Sequence, residues 1–188
     1  MTEAQIIKAC KAGDPDGFYQ LVNKYAGRLF GICLRYMKDE DDAKDVLQEG
    51  FIKIFKKIES YKPTGSFEAW LSKVVVNQSL MELRKKKKQF LIIESEILSI
   101  DQIDNFDIEI ELEEMDILEM LWELPDHYRI ILNLAIIEGY SHEEISEMLK
   151  INVSTSRTKL GRARKKLQEI YLEKSKVQLY KKTLAKTL

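Results

Sequence analysis

Residues 141–166 read SHEEISEMLKINVSTSRTKLGRARKK, which is the pattern of two short helices joined by a tight turn. Ser141, with Glu144 three positions later, has the spacing of a capping box and predicts the start of the first helix. A second helix is predicted to begin near Ser154. The turn reads Leu149-Lys150-Ile151, although helix-turn-helix proteins often have glycine there.

The two predicted helices would pack through apolar residues, and this packing would fix the angle between them. These residues are Ile145, Met148, Leu149, Ile151, Val153, Leu160, Ala163 and Leu167. Side chains predicted to face outward near the start of the second helix are Ser154, Thr155, Ser156, Arg157, Thr158, Lys159 and then Arg162. Arginine can pair with guanine, and hydroxyls bind phosphates, so this helix fits the major groove of DNA. A solvated basic helix produces the same string, and both interpretations stay open here.

Composition predicts an all-α protein. The 188 residues are 45% hydrophobic and include only three prolines and eight glycines. A net charge of −1 conceals a strong division along the chain. Residues 1–92 hold 17 Lys and Arg against 12 Asp and Glu, residues 93–126 hold 13 acids and no base, and residues 127–188 hold 13 bases against 6 acids. Two basic blocks joined by an acidic connector indicate charged partners.

Helical periodicity divides the chain into regions. We predict a helical domain at 1–92, an acidic linker at 93–113, a second helical domain at 114–174 and a basic tail at 175–188. In the first domain, Asp14 is a predicted helix cap, and residues 60–67 form a loop because they contain Pro and Gly. Cys10 and Cys33 lie on apolar helical faces and are expected to be buried in a reducing cytoplasm.

Nothing in the sequence predicts an enzyme. His127 and His142 lack metal-ligand partners at helical spacing, and no phosphate-binding, dinucleotide-binding or hydrolase motif occurs. We therefore expect no catalytic residue, metal or cofactor. The chain also has no apolar run of membrane-spanning length, and its first residues do not resemble a signal peptide.

The loop at residues 60–67 and the helix after it carry a second candidate for nucleic-acid binding. Aromatic, amide and basic residues follow one another there: Tyr61, Phe67, Trp70, Lys73, Asn77, Gln78 and the run Arg84–Lys88. Such a set is what capture of an unstacked base requires. In the alternative, the aromatics are core residues and the lysines stabilise the end of a helix. For Trp70 both roles remain open.

A third candidate surface is acidic. Asp42, Asp45, Gln48, Glu49 and Lys53 fall at helical spacing on one face, opposite apolar residues. Because an acidic face repels DNA, this face indicates a protein partner. Simple solvation of the face is the alternative.

These three features, in this order, resemble the extracytoplasmic-function sigma factors, the compact branch of the bacterial sigma-70 family. The similarity is carried by GDPDGF, DAKDVLQEGFIKIF, SFEAWLSKVVVNQSLMELRK and LPDHYRIILNLAIIEGYSHEEISEMLK followed by RTKLGRARKKL. It covers about residues 5–170. The resemblance implies two all-α domains, a sigma region 2 bundle and a sigma region 4 helix-turn-helix, and a cytoplasmic protein that gives RNA polymerase its promoter specificity.

The resemblance also implies roles for individual residues. Contacts with core RNA polymerase, through its β′ clamp helices, fall on Asp42, Asp45, Gln48, Glu49 and the neighbourhood of Phe51. Contacts with the −10 promoter element fall on Tyr61, Trp70, Lys73, Asn77, Arg84 and Lys85. Contacts with the −35 element fall on Ser154, Thr155, Arg157, Thr158, Lys159 and Arg162. The β flap of polymerase and an anti-sigma factor are further implied partners.

The chain departs from the family pattern at Lys150, at Gly161 and at Met81, where an acidic residue is frequent. These departures affect the promoter sequence rather than the role. The acidic linker suits a basic channel of polymerase, and we hypothesise that it mimics nucleic acid, which abortive-synthesis assays on a neutralised linker would test. An alternative function is a two-domain helix-turn-helix regulator that acts without polymerase. Such a regulator needs neither the acidic face nor the helix that ends in the basic run Arg84–Lys88.

Overall fold

The computed structural model describes residues 1–86 and 114–185, with side chains at 1–86 and 117–175. The chain divides into two compact units, Met1–Ile93 and Glu94–Leu188. Within the described residues all regular structure is helical and no strand occurs, which confirms the all-α prediction. The predicted acidic linker at 93–113, and the nucleic-acid mimicry assigned to it, lie outside the described residues.

Within residues 1–86, four α-helices build the first unit. They are α1 (Glu3–Lys11), α2 (Pro15–Tyr36), α3 (Glu40–Lys57) and α4 (Phe67–Lys86), with a 3₁₀ turn at Ile58–Ser60 after α3. Helix α2 lies at the centre, since it packs against each of the other three helices.

Short polar side chains fix where these helices begin. The Asp14 carboxylate accepts a hydrogen bond from the backbone N–H of Asp16 at 2.9 Å, which confirms the predicted cap of α2. The Asp39 carboxylate does the same for α3, accepting from the N–H groups of Asp41 and Asp42 at 2.9 and 3.0 Å.

The core of the first unit is formed by apolar residues at helical spacing. Buried residues of α2 and α3 are Leu21, Tyr25, Leu29, Ile32, Cys33, Tyr36, Ala43, Val46, Phe51 and Ile54. Phe18, Val22, Leu47 and Phe55 are half-buried at the margin. Cys10 and Cys33 are free and buried, as expected. Burial raises the pKa of Cys33 to about 12, so its thiol stays protonated and unreactive.

Two glycines allow helices to approach closely. A Cβ on Gly17 of α2 would lie 2.6 Å from the Cβ of Ala9 in α1. A Cβ on Gly50 of α3 would lie 3.1 Å from Cγ2 of Val75 in α4. The first contact brings α1 against α2, and the second brings α3 against α4.

In the second unit, the described residues 114–185 also form four α-helices. They are α5 (Glu114–Glu123), α6 (Asp126–Leu132), α7 (His142–Leu149) and the long α8 (Val153–Ala185), with a π-helical turn at Asn133–Ile137 after α6. Helices α5, α6 and α7 all pack on α8. The shared core consists of Met120, Leu121, Leu124, Ile130, Ile131, Leu132, Leu134, Ile145, Leu160, Ala163 and Ile170.

The π-helical turn was not predicted, since the sequence indicated only a helical domain over residues 114–174. The N–H of Glu138 donates to the carbonyl oxygen of Asn133 at 2.9 Å, a bond that spans five residues. One turn earlier, Arg129 is 1% exposed and pairs with Asp126 at 3.1 Å. Burial lowers the pKa of Arg129 to about 10, so the guanidinium remains charged at neutral pH beside its carboxylate.

Helix α8 continues far beyond the helix-turn-helix. Its Lys174 Nζ lies 2.7 Å from Glu123 and 3.3 Å from Glu119 of α5, which ties the extension to the start of the unit. No helix among residues 1–86 and 114–185 is long and apolar enough to cross a membrane.

We predict that Gly17→Ala destabilises the first unit whereas Gly27→Ala stabilises it. Both glycines lie in α2, and alanine favours a helix by up to about 1 kcal/mol over glycine. A Cβ on Gly27 meets nothing within 4 Å, but one on Gly17 collides with Ala9 and should cost about 1–3 kcal/mol. Thermal unfolding followed by circular dichroism measures both changes. Equal midpoints for the two variants would contradict the close approach of α1 and α2.

Candidate nucleic-acid interface

An open groove of about 230 Å³ runs between α3 and α4. Its lining consists of Lys53, Lys57, Trp70, Lys73, Val74, Asn77 and Gln78. The structure therefore brings together four residues that the sequence placed in one candidate set: Trp70, Lys73, Asn77 and Gln78. Lys57 was missed and Lys53 was assigned to the acidic face. Their four-residue spacing on α3 could have indicated a second, basic face at the end of that helix.

The aromatic residues around the loop have different exposures. Trp70 is half-buried, and its ring is stacked on Phe67 with 5.8 Å between centroids and lies 5.3 Å from Tyr61. Tyr61 is only 6% exposed and packs edge-on against Phe67 at 5.0 Å. Tyr61 is thus packed in the core beneath the loop, and its assignment as a direct DNA contact stays a prediction. Trp70 combines a packed face with a position on the groove.

The groove has the chemistry of a nucleotide site. Three lysines and the exposed amide of Asn77 surround the apolar surface of Trp70 and Val74. Ammonium groups attract phosphates, an aromatic ring stacks on a base, and an amide can pair with a base edge. Gln78 is 1% exposed, and its Oε1 accepts no hydrogen bond from the residues that the structure describes.

The basic end of α4 is partly engaged within the protein. Lys85 is exposed and pairs with Glu82 at 3.0 Å, while Arg84 is half-buried. Lys86 pairs with Asp42 of α3. The remainder of the run, residues 87–88, lies outside the described residues.

The acidic face is formed by the first turns of α3. Asp45, Gln48 and Glu49 are exposed there, and Asp42 is half-buried beside Lys86. Phe51 is 8% exposed and packs on Phe55 with 6.0 Å between ring centroids. Its side chain is therefore part of the core beneath this face, and the assignment of the Phe51 neighbourhood to polymerase stays a prediction.

The second unit contains the predicted helix-turn-helix, formed by α7, the turn and the start of α8. Ser141 and Glu144 make the predicted capping box, with bonds of 3.2 and 2.9 Å. Lys150 adopts the left-handed conformation (φ 56°, ψ 46°), the geometry that glycine usually provides. The Ser146 hydroxyl donates to the carbonyl oxygen of Ile151 at 2.6 Å and holds the turn.

The exposed start of α8 carries most of the predicted DNA contacts. Ser154, Arg157 and Thr158 are exposed, and Thr155, Lys159 and Arg162 are half-buried. Ser156 is fully buried and shares a 2.8 Å hydrogen bond with Nδ1 of His142, so its prediction as an outward residue is wrong. The Arg157 guanidinium lies 3.5 Å from the Glu143 carboxylate, and both side chains are largely exposed. An exposed pair of this kind is weak and leaves Arg157 available.

The second helix of this helix-turn-helix begins with exposed basic and hydroxyl side chains. These features place the protein in the class of helix-turn-helix DNA-binding proteins. Residues 21–89 match the family Sigma-70 region 2, and residues 114–167 match Sigma-70, region 4. The ECF RNA polymerase sigma factor SigW of Bacillus subtilis (strain 168) is 29% identical over 87% of this chain and 93% of its own length. The chain belongs to the extracytoplasmic-function branch of the sigma-70 family.

One further relative and two solved structures are also similar to this chain. The ECF RNA polymerase sigma-E factor of Haemophilus influenzae is 26% identical over 89% of this chain and 94% of its own. The sigma factor RpoE from Bartonella quintana, solved with the anti-sigma factor NepR, has a TM-score of 0.54 at 22% identity over 82% of this chain and 96% of that one. CnrH, solved with the cytosolic domain of CnrY, has a TM-score of 0.52 at 22% identity over 88% and 94%. At these identities the two structures support the fold alone.

Family membership decides between the functions that the sequence left open. Sigma factors are transcription initiation factors and not enzymes, which confirms that prediction. The alternative, a regulator acting without polymerase, is disfavoured because both domains match sigma regions.

We predict that Lys150→Gly stabilises the second unit by about 1 kcal/mol, because glycine adopts the left-handed conformation without a steric penalty. Lys150→Val should destabilise the unit, since a branched Cβ is least tolerated there. Hydrogen exchange of the α7 backbone amides reports this unit separately from the first. Slower exchange in Lys150→Val than in the parent would contradict the left-handed turn.

Proposed function

We propose that the chain binds core RNA polymerase through α3, captures a base of the −10 element in the groove between α3 and α4, and recognises the −35 element through α8. In this proposal residues 1–92 bind polymerase and −10 DNA, and residues 114–174 bind −35 DNA. The observation that carries the proposal lies on α3. This helix begins with exposed carboxylates and ends with lysines that line the groove. A single helix thus offers surfaces to a protein and to DNA, and a regulator working alone needs only the second.

For polymerase docking, we assign the exposed Asp45, Gln48 and Glu49, together with Asp42, to the β′ clamp helices. Asp42 lies in the first turn of α3, where the helix dipole stabilises a negative charge, and the exposed Asp45 and Glu49 extend the acidic face toward a basic partner. Phe51 supports this face from the core. We assign the β flap to the second unit, where Ile136 and Ile137 of the π-helical turn are exposed by 49% and 41%. Exposed apolar neighbours of this kind suit a protein contact.

For the −10 element, we assign stacking of an extruded base to Trp70 and hydrogen bonding of its edge to Asn77. Lys53, Lys57 and Lys73 would neutralise the flanking phosphates, and Arg84 and Lys85 would extend the basic surface. Extruding a base costs a few kcal/mol, and stacking on an aromatic side chain returns about 1–3 kcal/mol per base. Lysines around the groove attract phosphates of paired and unpaired DNA alike, so preference for an unpaired base comes from stacking on Trp70.

For the −35 element, we assign base recognition to Arg157, whose planar guanidinium can form two bonds to guanine. Ser154, Thr155 and Thr158 lie near the helix N-terminus, where phosphate is favoured. Lys159 and Arg162 follow along α8 toward the DNA backbone.

The cellular setting follows from these partners. We propose a cytoplasmic location, where polymerase and the chromosome are found. The relatives solved with NepR and with CnrY further suggest that an anti-sigma factor or a similar regulator binds this chain.

We predict that the chain co-purifies with core RNA polymerase and supports run-off transcription from a genomic library. Glu49→Lys should lower the affinity for polymerase roughly tenfold or more, because it places like charges against the basic partner. Glu59→Lys, which reverses an exposed charge away from this face, is the control. Absence of any polymerase association in the parent protein would refute the proposed function.

We predict that Arg157→Ala weakens −35 recognition by about 1–3 kcal/mol and leaves polymerase binding intact. Run-off transcription on promoters with single −35 substitutions measures the change. Lys166→Ala, which removes an exposed α8 lysine paired with Glu169 at 2.9 Å, is the control and should not alter sequence preference. A loss for Arg157→Ala that is equal on all sequences would reduce Arg157 to a phosphate contact.

A further inference from the structure

The loop that borders the groove is attached to α1, a helix that precedes the matched sigma regions. Lys11 lies in the last turn of α1, and its Nζ donates a hydrogen bond to the carbonyl oxygen of Tyr61 at 2.8 Å. The same ammonium lies 5.8 Å from the centroid of the Tyr61 ring. Fifty residues separate these partners in sequence. The match to Sigma-70 region 2 begins at residue 21, so α1 lies outside it.

Tyr61, the residue that Lys11 holds, also bonds to the other end of the loop. Its hydroxyl donates to the carbonyl oxygen of Gly65 at 3.1 Å, and its ring packs against both Phe67 and Trp70. Within the loop, the N–H of Thr64 donates to the carbonyl oxygen of Lys62 at 2.8 Å. Lys11, Tyr61 and Gly65 therefore form a chain of hydrogen bonds that closes residues 61–65 into a defined shape.

Helix α1 is a firm support for this chain of bonds. Gly17 allows α1 to pack directly on α2, and the Tyr25 hydroxyl donates to Glu3 Oε2 at 2.7 Å. These two contacts hold α1 near both of its ends. A lysine on a fixed helix loses less conformational freedom in making its bond than a lysine on a mobile segment would.

We propose that Lys11 is a positioning residue that holds residues 61–65 in the shape that meets the −10 strand and thereby contributes to −10 sequence discrimination. Lys11 does not line the groove, so it acts through Tyr61 rather than through DNA. The part of this inference that concerns promoter recognition rests on the proposed function. The part that concerns the shape of the loop is independent of the proposed function.

The first experiment needs no polymerase. Hydrogen exchange of the backbone amides at residues 61–66 is compared in the full chain with Lys11→Met, Lys11→Arg and Lys8→Met. Methionine keeps the length of the side chain but removes its donor, and we expect faster exchange in this loop. Arginine keeps a donor and should restore protection, and Lys8→Met changes an exposed lysine of the same helix as a control. Unchanged exchange in Lys11→Met overturns the proposal.

The second experiment uses polymerase holoenzyme reconstituted with each variant. Single-round transcription is measured on a promoter that the parent protein uses and on its single-base −10 and −35 variants. Loss of one net hydrogen bond predicts a roughly two- to tenfold decrease in −10 discrimination for Lys11→Met, with −35 discrimination unchanged. An equal loss on every promoter, with a weaker salt dependence, would make Lys11 a phosphate contact and overturn the proposal.

The two experiments distinguish failure of the proposed function from failure of the inference about Lys11. A chain that fails to support transcription in any variant refutes the proposed function, and the exchange data still decide whether Lys11 holds the loop. Thermal unfolding of each variant is recorded alongside. Lys11→Met could lower the midpoint and accelerate exchange in the loop no more than it accelerates exchange in α2. That result would indicate a general structural role and overturn the proposal.

Discussion

The contact of α3 with α4 at Gly50 and Val75 is the constraint on which the candidate site of the first unit depends. The absence of a side chain at Gly50 sets how closely the two helices approach. One and two turns further along α3, Lys53 and Lys57 line the groove with Trp70, Lys73 and Asn77. A wider spacing would separate the lysines from the aromatic surface. The width of the nucleotide-sized groove is therefore fixed by the core beneath it, where packing is least adaptable.

The second unit obtains its DNA-facing surface by a different constraint. The direction of α8 relative to α7 is set by the left-handed Lys150 and by the bond from Ser146 to Ile151. Buried Ser156 then joins the first turn of α8 to His142 at the start of α7. In both units a small number of backbone and core contacts determines where charged side chains are displayed, and the displayed side chains themselves add little to stability.

Helix limits, caps and apolar faces were predictable from the sequence because they depend on neighbours within one turn. Asp14, Ser141 and Glu144 are examples. Residues whose exposure depends on another helix were not predictable, since spacing gives a face but not what covers it. Ser156, Phe51 and Tyr61 are buried for this reason, and the π-helical turn at Asn133–Ile137 depends equally on burial in the assembled unit. Four lining residues of the groove were foreseen, namely Trp70, Lys73, Asn77 and Gln78, while Lys53 and Lys57 enter it only through the pairing of α3 with α4.

The ion pair between Lys86 and Asp42 connects the two surfaces of the first unit through a shared charge. Asp42 belongs to the acidic face, and Lys86 ends the basic run of α4. A protein partner that takes the carboxylate leaves the ammonium without its counter-ion and adds a positive charge beside the DNA. By thermodynamic linkage, DNA that takes the ammonium equally strengthens the acidic face. For a half-exposed pair the effect is small, at most about 1 kcal/mol. Binding at either surface nevertheless changes the affinity of the other surface for its own partner.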